Sequence, residues 1–100
     1  MAIDLPVIFH HESFAELEHA KLWYNEQTEG LGEAFFQKIQ HAISRIQQTP
    51  HAWPAHSHGT RRFILHRFPF AIVFRFTTEK IYVLAVMHLK RKPNYWKKRR

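Results

Sequence analysis

The side chains best suited to contact phosphate groups lie in the second part of the chain. Residues 61–89 hold five Lys or Arg and one acid, and residues 90–100 hold seven Lys or Arg and no acid. The first sixty residues have the opposite balance, with three basic and seven acidic residues. Because concentrated positive charge attracts polyanions, nucleic acid is the first partner to consider, although a solubilising tail or a surface for an acidic protein would have the same composition. The candidate contacts to nucleic acid are Arg61, Arg62, Arg67, Arg75, Lys90, Lys97 and Lys98.

Several other chemistries are disfavoured by the residues that the chain lacks. Without cysteine it has neither a thiolate nucleophile nor a disulfide. A two-metal nuclease needs clustered carboxylates, but Asp4 is the only aspartate and Glu79 is the only acid of the basic half. His51, His56 and His58 lie close together in sequence, but in a segment without acids we interpret them as a solvated cluster. We therefore predict no metal and no cofactor.

Length and composition are those of a globular domain. One hundred residues with 45% apolar content, including nine Phe, can fill a single core. The sequence starts without the basic and apolar regions of a signal peptide, and no apolar run approaches the ~18 residues that span a bilayer. We expect one cytoplasmic domain over residues 1–100, with a basic tail over residues 90–100 and no membrane partner.

The first elements are a strand and a helix. Leu5–His10 is short and rich in β-branched and aromatic residues, which predicts a strand. Ser13 and Glu16 have the spacing of a capping box, so a helix is predicted from about Phe14 to about Thr28, with Phe14 on its buried face.

A second helix and a loop follow. Gly30 and Gly32 are predicted to end the first helix. Apolar residues at positions 35–46 follow the i, i+3, i+4 spacing of a second helix, which should end by Thr49. Pro50–Gly59 contains two prolines and three histidines and is predicted to be a loop.

After this loop the apolar period changes to two, which indicates strands near residues 63–65 and over residues 70–76 and 81–88. The predicted order is β-α-α-β-β-β, an α+β fold with a helical hairpin packed on an antiparallel sheet. Residues 81–88 are apolar on both faces, so both sides of the sheet need a cover. The hairpin can cover one side, and a partner, a loop or the chain's own tail must cover the other.

Short motifs in a fixed order carry a resemblance to a known family. In the first half they are Trp23-Tyr24, Gly30-Leu31-Gly32 before Phe35-Phe36, and Pro50; in the second half they are Arg61-Arg62-Phe63, the segment Arg67–Arg75 and the segment Val86–Trp96. Together they resemble the RelE/ParE superfamily of toxins from type II toxin–antitoxin systems, of the plasmid-stabilisation type, over essentially the whole chain.

The resemblance implies a bacterial growth-inhibiting toxin that a cognate antitoxin neutralises in a hetero-oligomer. RelE-like members cut mRNA on the ribosome, whereas ParE-like members block DNA gyrase and need no catalytic site. We expect the docking segment of the antitoxin to be acidic and amphipathic.

Cleavage of the RelE type would be a metal-independent endoribonuclease reaction. The ribose 2′-hydroxyl attacks the phosphate, so the protein must remove a proton, protonate the leaving oxygen and stabilise phosphate charge. The resemblance places Arg91 and Tyr95 near the catalytic Arg and Tyr of the family, and His88 near a position where some relatives are basic. These three residues are the candidate catalytic set. The lysine pair that ribonuclease members carry before the second strand has no counterpart here.

Each candidate also has a structural interpretation. Tyr95 and Trp96 would equally suit a tail that folds back onto the open face of the sheet. Arg75 would suit an ion pair with an acid of the scaffold, and His88 is placed where an apolar strand ends. A non-enzymatic module that binds nucleic acid or protein, or an inactive toxin homologue, is the alternative function.

Overall fold

The computed structural model describes residues 4–99; residues 1–3 and Arg100, which closes the predicted basic tail, lie outside the described residues. The elements are β1 (Val7–Phe9), α1 (His11–Gln27), α2 (Leu31–Gln48), a 3₁₀ turn (Pro50–Ala52), β2 (Ala55–His56), β3 (Thr60–Ile64), β4 (Phe70–Phe76) and β5 (Ile81–His88).

The strands form one sheet in the order β1-β5-β4-β3-β2. This confirms the predicted α+β class with a helical hairpin on a sheet. The sheet is mixed, because β1 runs parallel to β5 while the other neighbours are antiparallel. The short β2 lies inside the segment that was predicted to be a loop.

The capping-box prediction at the start of α1 is wrong. His10 is the N-cap, and its Nδ1 accepts a hydrogen bond from the Glu12 amide at 3.1 Å. Ser13 lies inside the helix and is buried, with its Oγ 2.7 Å from the His10 carbonyl and 3.1 Å from the Val83 carbonyl. The Ser13 hydroxyl therefore joins the helix to the sheet, and the Glu16 carboxylate is left to reach a different part of the structure.

The turn between the helices uses its two glycines differently. Gly30 has a φ of 83°, in the left-handed region that favours glycine. The prediction that Gly32 helps to end the first helix is wrong. Gly32 lies in the first turn of α2, and its amide donates a hydrogen bond to Asn25 Oδ1 at 2.7 Å. A Cβ at this position would clash with the Lys21 carbonyl and the Asn25 side chain. Gly32 therefore allows α2 to approach α1 closely.

The helical hairpin covers one side of the sheet. From α2 it buries Phe35, Ile39, Ala42 and Ile46, and these pack on Phe63, Ile72, Phe74, Val83 and Val86 of the strands. The α1 helix buries Leu17 and Ala20, whereas Phe14 is 51% and Trp23 55% exposed, so the predicted burial of Phe14 is wrong. Within residues 4–99, neither helix is long and apolar enough to cross a membrane.

A bulge in β5 changes which side chains face the helices. Val83 pairs with Phe74 and Ala85 pairs with Val73, so Leu84 is an extra residue in β5. As a result Val83 packs with the helix-side core, while Leu84 and Ala85 both pack on the opposite side.

The chain after β5, residues 89–99, covers the second side of the sheet and is called the tail here. Trp96 is 1% exposed and packs in a second apolar cluster with Ala71, Val73, Leu84 and Met87. This confirms the interpretation that the tail folds back onto the sheet.

Candidate functional site

The tail is fixed to the β2–β3 region by polar and aromatic contacts. Asn94 has a φ of 61°, and its Oδ1 accepts a hydrogen bond from Ser57 Oγ at 2.5 Å. The ring centroids of His56 and His58 lie 5.9 and 6.0 Å from Trp96. These two histidines therefore line the buried tryptophan, a packing role that the sequence did not indicate.

The Glu16 carboxylate contacts two of the three candidate catalytic side chains, together with Arg99. Tyr95 Oη donates to it at 2.6 Å, and Arg99 donates to both of its oxygens at 2.8 and 3.1 Å. Arg91 Nη1 lies 3.2 Å away. We call these four residues the Glu16 cluster. The Glu16 side chain is only 13% exposed, so it is nearly enclosed by its partners.

The cluster lies along the edge of β5 that faces away from β4, beyond the point where β1 ends. Pairing between β1 and β5 ends at Phe9 and Val83. Beyond that point Glu16 accepts a hydrogen bond from the Val86 amide at 3.0 Å, and Arg99 donates to the Leu84 carbonyl at 2.9 Å. Side chains thus satisfy backbone groups that an unpaired strand edge would leave open.

Burial and the neighbouring carboxylate raise the pKa of Tyr95 well above its ordinary value of 10.0. Desolvation contributes most, and the hydrogen bond to Glu16 adds to it, because both favour the protonated phenol. Burial alone would lower the pKa of Arg99, but its hydrogen bonds and ion pair with Glu16 outweigh this and raise it. Tyr95 is therefore held as a neutral donor and Arg99 as a cation.

The structure brings two of the three candidate catalytic residues together in the Glu16 cluster and places the third, His88, outside this cluster. The Arg91 guanidinium lies 3.8 Å from the centroid of the Tyr95 ring. His88 accepts a hydrogen bond from the Lys90 amide through Nδ1 at 3.1 Å, and its ring packs on Phe70. The turn after β5 and the Phe70 ring therefore orient the His88 side chain at the end of β5.

The basic residues predicted to contact nucleic acid divide between the two sides of the sheet. Arg61 faces the helix side, where it donates to the Trp53 carbonyl at 2.8 Å. Arg67 lies over the Phe68 ring in the β3–β4 turn. Arg62 pairs with Val73 and so points toward the tail side.

The other candidates for nucleic-acid contact are exposed. Arg75 is exposed on β4 and makes no ion pair within residues 4–99, so the structural interpretation of Arg75 as the partner of a scaffold acid is wrong. Lys90, Lys97 and Lys98 are exposed on the tail.

One group of side chains in the described residues has the spacing of metal ligands, and it lies outside the segment of His51, His56 and His58. Ligand atoms of His10, His11 and Glu12 lie within 4.8 Å of one another. Glu12 is already paired with Arg99 at 3.1 Å, and His10 Nδ1 accepts from a backbone amide. Lys98 lines the same hollow. The surrounding cations and the N-terminal end of the helix dipole disfavour a metal ion there.

Comparison with known proteins decides the family. A model of the ParE toxin of type II toxin–antitoxin systems matches residues 7–93. The chain belongs to the ParE toxin family. A solved structure of the chromosomal ParDE toxin–antitoxin system from P. aeruginosa is similar to this toxin with a TM-score of 0.71 and 21% identity, covering 86% of this chain and 97% of that chain. This likeness supports the fold. Among curated proteins, no sequence matches.

The toxin has a groove between α1 and the end of the sheet. Its volume is about 770 Å³. Leu22 and Trp23, which are 60% and 55% exposed, lie along one wall. The lining on the other side includes Phe70, Val86, His88 and Arg91. His88 and Arg91 thus share an opening that Tyr95 does not line.

Glu16 and Arg99 are the site residues that the sequence did not reveal. One signal was present for Glu16: it lies three residues after Ser13 and four before Ala20, on the buried side of α1. A carboxylate on such a face needs a partner. For Arg99 we find no signal, because seven basic residues lie within residues 90–100 and nothing in their spacing distinguishes it.

Proposed function

We propose that this protein is a cytoplasmic toxin that stops growth by binding DNA gyrase, with no catalytic reaction of its own. The observation that carries the proposal is the Glu16 cluster. Ribonuclease chemistry would need Tyr95 and Arg91 to face the scissile phosphate. Here both groups contact a carboxylate, at 2.6 and 3.2 Å, so neither is free to contact an approaching phosphate. Membership in the ParE family favours gyrase as the target.

RNA cleavage is the second candidate, and one observation favours it. His88 and Arg91 line the same open groove, and the Arg91 side chain is 52% exposed. A histidine can transfer a proton, and a solvent-accessible arginine beside it can bind the phosphate. This candidate would have to work without Tyr95 as a proton-transfer group.

Pulse labelling of cells just after induction separates the two candidates. A gyrase inhibitor should reduce thymidine incorporation before methionine incorporation, and purified toxin should inhibit supercoiling by gyrase. The Tyr95→Phe variant should keep its toxicity, with Tyr82→Phe as the matched control, because the proposed mechanism uses no phenol. Methionine falling first, or loss of toxicity in a folded Tyr95→Phe protein, would contradict the proposal.

We also infer that a cognate antitoxin neutralises the toxin by placing an acidic amphipathic segment in the groove. Leu22 and Trp23 offer apolar surface, and the exposed guanidinium of Arg91 in the groove complements acidic side chains. The resulting toxin–antitoxin hetero-oligomer would cover the largest exposed aromatic side chain of α1.

The docking inference is tested with two substitutions at similarly exposed apolar residues. Trp23→Ala should weaken antitoxin binding by roughly thirtyfold or more, the loss typical of a buried interface tryptophan. Ile64→Ala is the control, because Ile64 is 47% exposed but lies on β3, away from the groove. Calorimetric titration with the antitoxin encoded beside the toxin measures both. Equal affinities for the two variants, or a neighbouring partner whose docking segment is basic, would overturn the inference.

A further inference from the structure

The side of the sheet opposite the helices carries exposed positive charge. We call it the tail-side face and define it by the side chains that share the side of Val73. Alternation along the strands places Arg75 on this face, and pairing with Arg75 places Tyr82 there. Arg62 joins them because it pairs with Val73. Lys80 Nζ lies 5.1 Å from the Tyr82 ring, so its charge is on the same side.

The tail adds a fourth cation to this face. Lys97 directly follows the buried Trp96 and is exposed, whereas Lys98 lines the hollow beside His10 at the β5 edge. Within residues 4–99, none of the four cations of the face takes part in an ion pair. The face therefore presents four cations that no acidic side chain of the described residues neutralises.

The acidic residues of the molecule lie elsewhere. Six of the eight are between Glu12 and Glu33, in the helical hairpin on the other side of the sheet. Glu79, in the β4–β5 turn, is the only acid after residue 33. The molecule is thus electrically polarised, with an acidic helical side and a basic tail side. A polyanion would be oriented toward the tail-side face by this field.

We propose that the tail-side face binds duplex DNA through its phosphate backbone, without reading the base sequence. Single strands are disfavoured, because proteins hold them by stacking bases on exposed aromatic rings. On this face Trp96 is 1% exposed, and Lys80 lies over the Tyr82 ring. The Trp96 and Tyr82 rings are therefore not available as stacking platforms.

The neutral polar groups of the face are engaged within the protein. Thr60 is buried and donates to the Ser57 carbonyl at 2.7 Å, and Ser57 Oγ donates to Asn94. The His56 ring packs on Trp96. Besides these residues, the cations and Tyr82, the strand residues of the face are aliphatic: Ile64, Ala71, Val73, Leu84, Ala85 and Met87. Reading base edges or a 2′-hydroxyl requires free donors and acceptors. Cations alone favour the regular phosphate array of duplex DNA.

The inference goes beyond the gyrase contact and does not depend on it. Its test is the binding of purified toxin to a fluorescent DNA duplex of about 20 base pairs, followed by anisotropy. If four cations contact phosphates, affinity should fall about 150-fold between about 50 and about 200 mM salt.

A matched pair of charge reversals locates the surface. Arg75→Glu and Lys38→Glu change the net charge equally and both replace exposed cations, but Lys38 is on α2, on the helical side. Arg75→Glu should weaken DNA binding on the order of tenfold, whereas Lys38→Glu should leave it within about twofold. Thermal melting should show both variants folded.

Several results would overturn the proposal. These are the absence of binding at low salt, equal weakening by the two reversals, and tighter binding of single-stranded DNA or duplex RNA. A further one is binding of polyglutamate as tight as that of DNA at equal charge, which would indicate a surface for acidic proteins. No gyrase is present in this measurement, so its result is independent of the gyrase proposal, which the supercoiling and pulse-labelling assays test.

Discussion

At the scale of single residues, Glu16 has the largest structural role of any acid in the molecule. Its two oxygens accept hydrogen bonds from Tyr95, Arg91, Arg99 and the Val86 amide. A carboxylate that is mostly removed from water is tolerated only when its lone pairs are satisfied in this way. Glu16 therefore couples the first helix to the tail and to an otherwise open strand edge.

Replacing the charge of Glu16 should destabilise the toxin. In Glu16→Gln the amide keeps the shape of the side chain but loses the ion pairs, and we expect about 2 kcal/mol of stability to be lost. Glu18→Gln is the control, because Glu18 is exposed on the same helix. Urea unfolding of both variants measures the difference. Equal midpoints for the two would mean that the cluster contributes nothing to stability.

The raised pKa of Tyr95 predicts a specific loss of stability at alkaline pH. In the folded state the phenol keeps its proton above its ordinary pKa of 10.0, whereas the unfolded chain releases it. The stabilisation is thus complete below that pKa and is lost as pH rises through it toward the folded-state pKa. Between about pH 9 and about pH 11 wild type should lose about 1 kcal/mol more than Tyr95→Phe.

The check is urea unfolding of the two proteins at the two pH values. Tyr24, whose pKa is also raised by burial, is present in both and cancels in the comparison. Parallel losses in wild type and Tyr95→Phe would contradict the assignment.

Sequence reasoning reached some of these residues and not others. The family resemblance selected Arg91 and Tyr95, and the structure places them in one cluster. It could not select Glu16, because the hydrogen bond between Glu16 and Tyr95 joins positions 79 residues apart in the chain. Local spacing favoured a capping box instead, and the tertiary contacts of Glu16 overrode it.

At the scale of secondary structure, the predictable elements were those whose apolar residues recur at regular helical or strand spacing. The α2 helix has buried residues at helical spacing, and β4 and β5 follow the predicted ranges closely. The approximate range of the α1 helix was predicted correctly, but its buried face was not. Phe14 and Trp23 are apolar and yet exposed, so apolar spacing did not indicate which side packs on the sheet. The bulge at Leu84 was not predictable, because Ile81–His88 is apolar on both sides of the extra residue.

The hairpin turn offers a test of close helix packing. Gly32→Ala would place a methyl group against the Lys21 carbonyl and Asn25, so we expect a loss of about 2 kcal/mol or more. Gly30→Ala has no neighbour within 4 Å and should cost about 1 kcal/mol, from its positive φ alone. Chemical denaturation ranks the two variants. A larger loss for Gly30→Ala would argue against close packing at Gly32.

At the scale of the whole molecule, the fold has three layers: the helical hairpin, the sheet and the tail. The sequence predicted the first two and left the cover of the second sheet face open. The structure shows that the tail supplies it through Trp96. Composition could not decide this, because the basic residues around Trp96 suit a solvated extension equally well.

The contribution of the tail to stability can be measured with two tryptophans. Trp96→Ala should cost about 3 kcal/mol or more, because it leaves a cavity against the sheet. Trp23→Ala, at a side chain that is 55% exposed, should cost less than about 1 kcal/mol. Thermal unfolding gives both values. A small effect of Trp96→Ala would mean that the tail only rests on the sheet.

The position of the tail has a consequence for how the toxin is made. Ribosomes deliver the helices and all five strands before they deliver Trp96 and Arg99. Until then one sheet face is bare and the β5 edge beyond Val83 has unpaired amides and carbonyls, a surface on which nascent chains associate. Synthesis arrested before Trp96 should therefore release an aggregation-prone fragment, and the native fold becomes complete only in the final steps of translating residues 4–99.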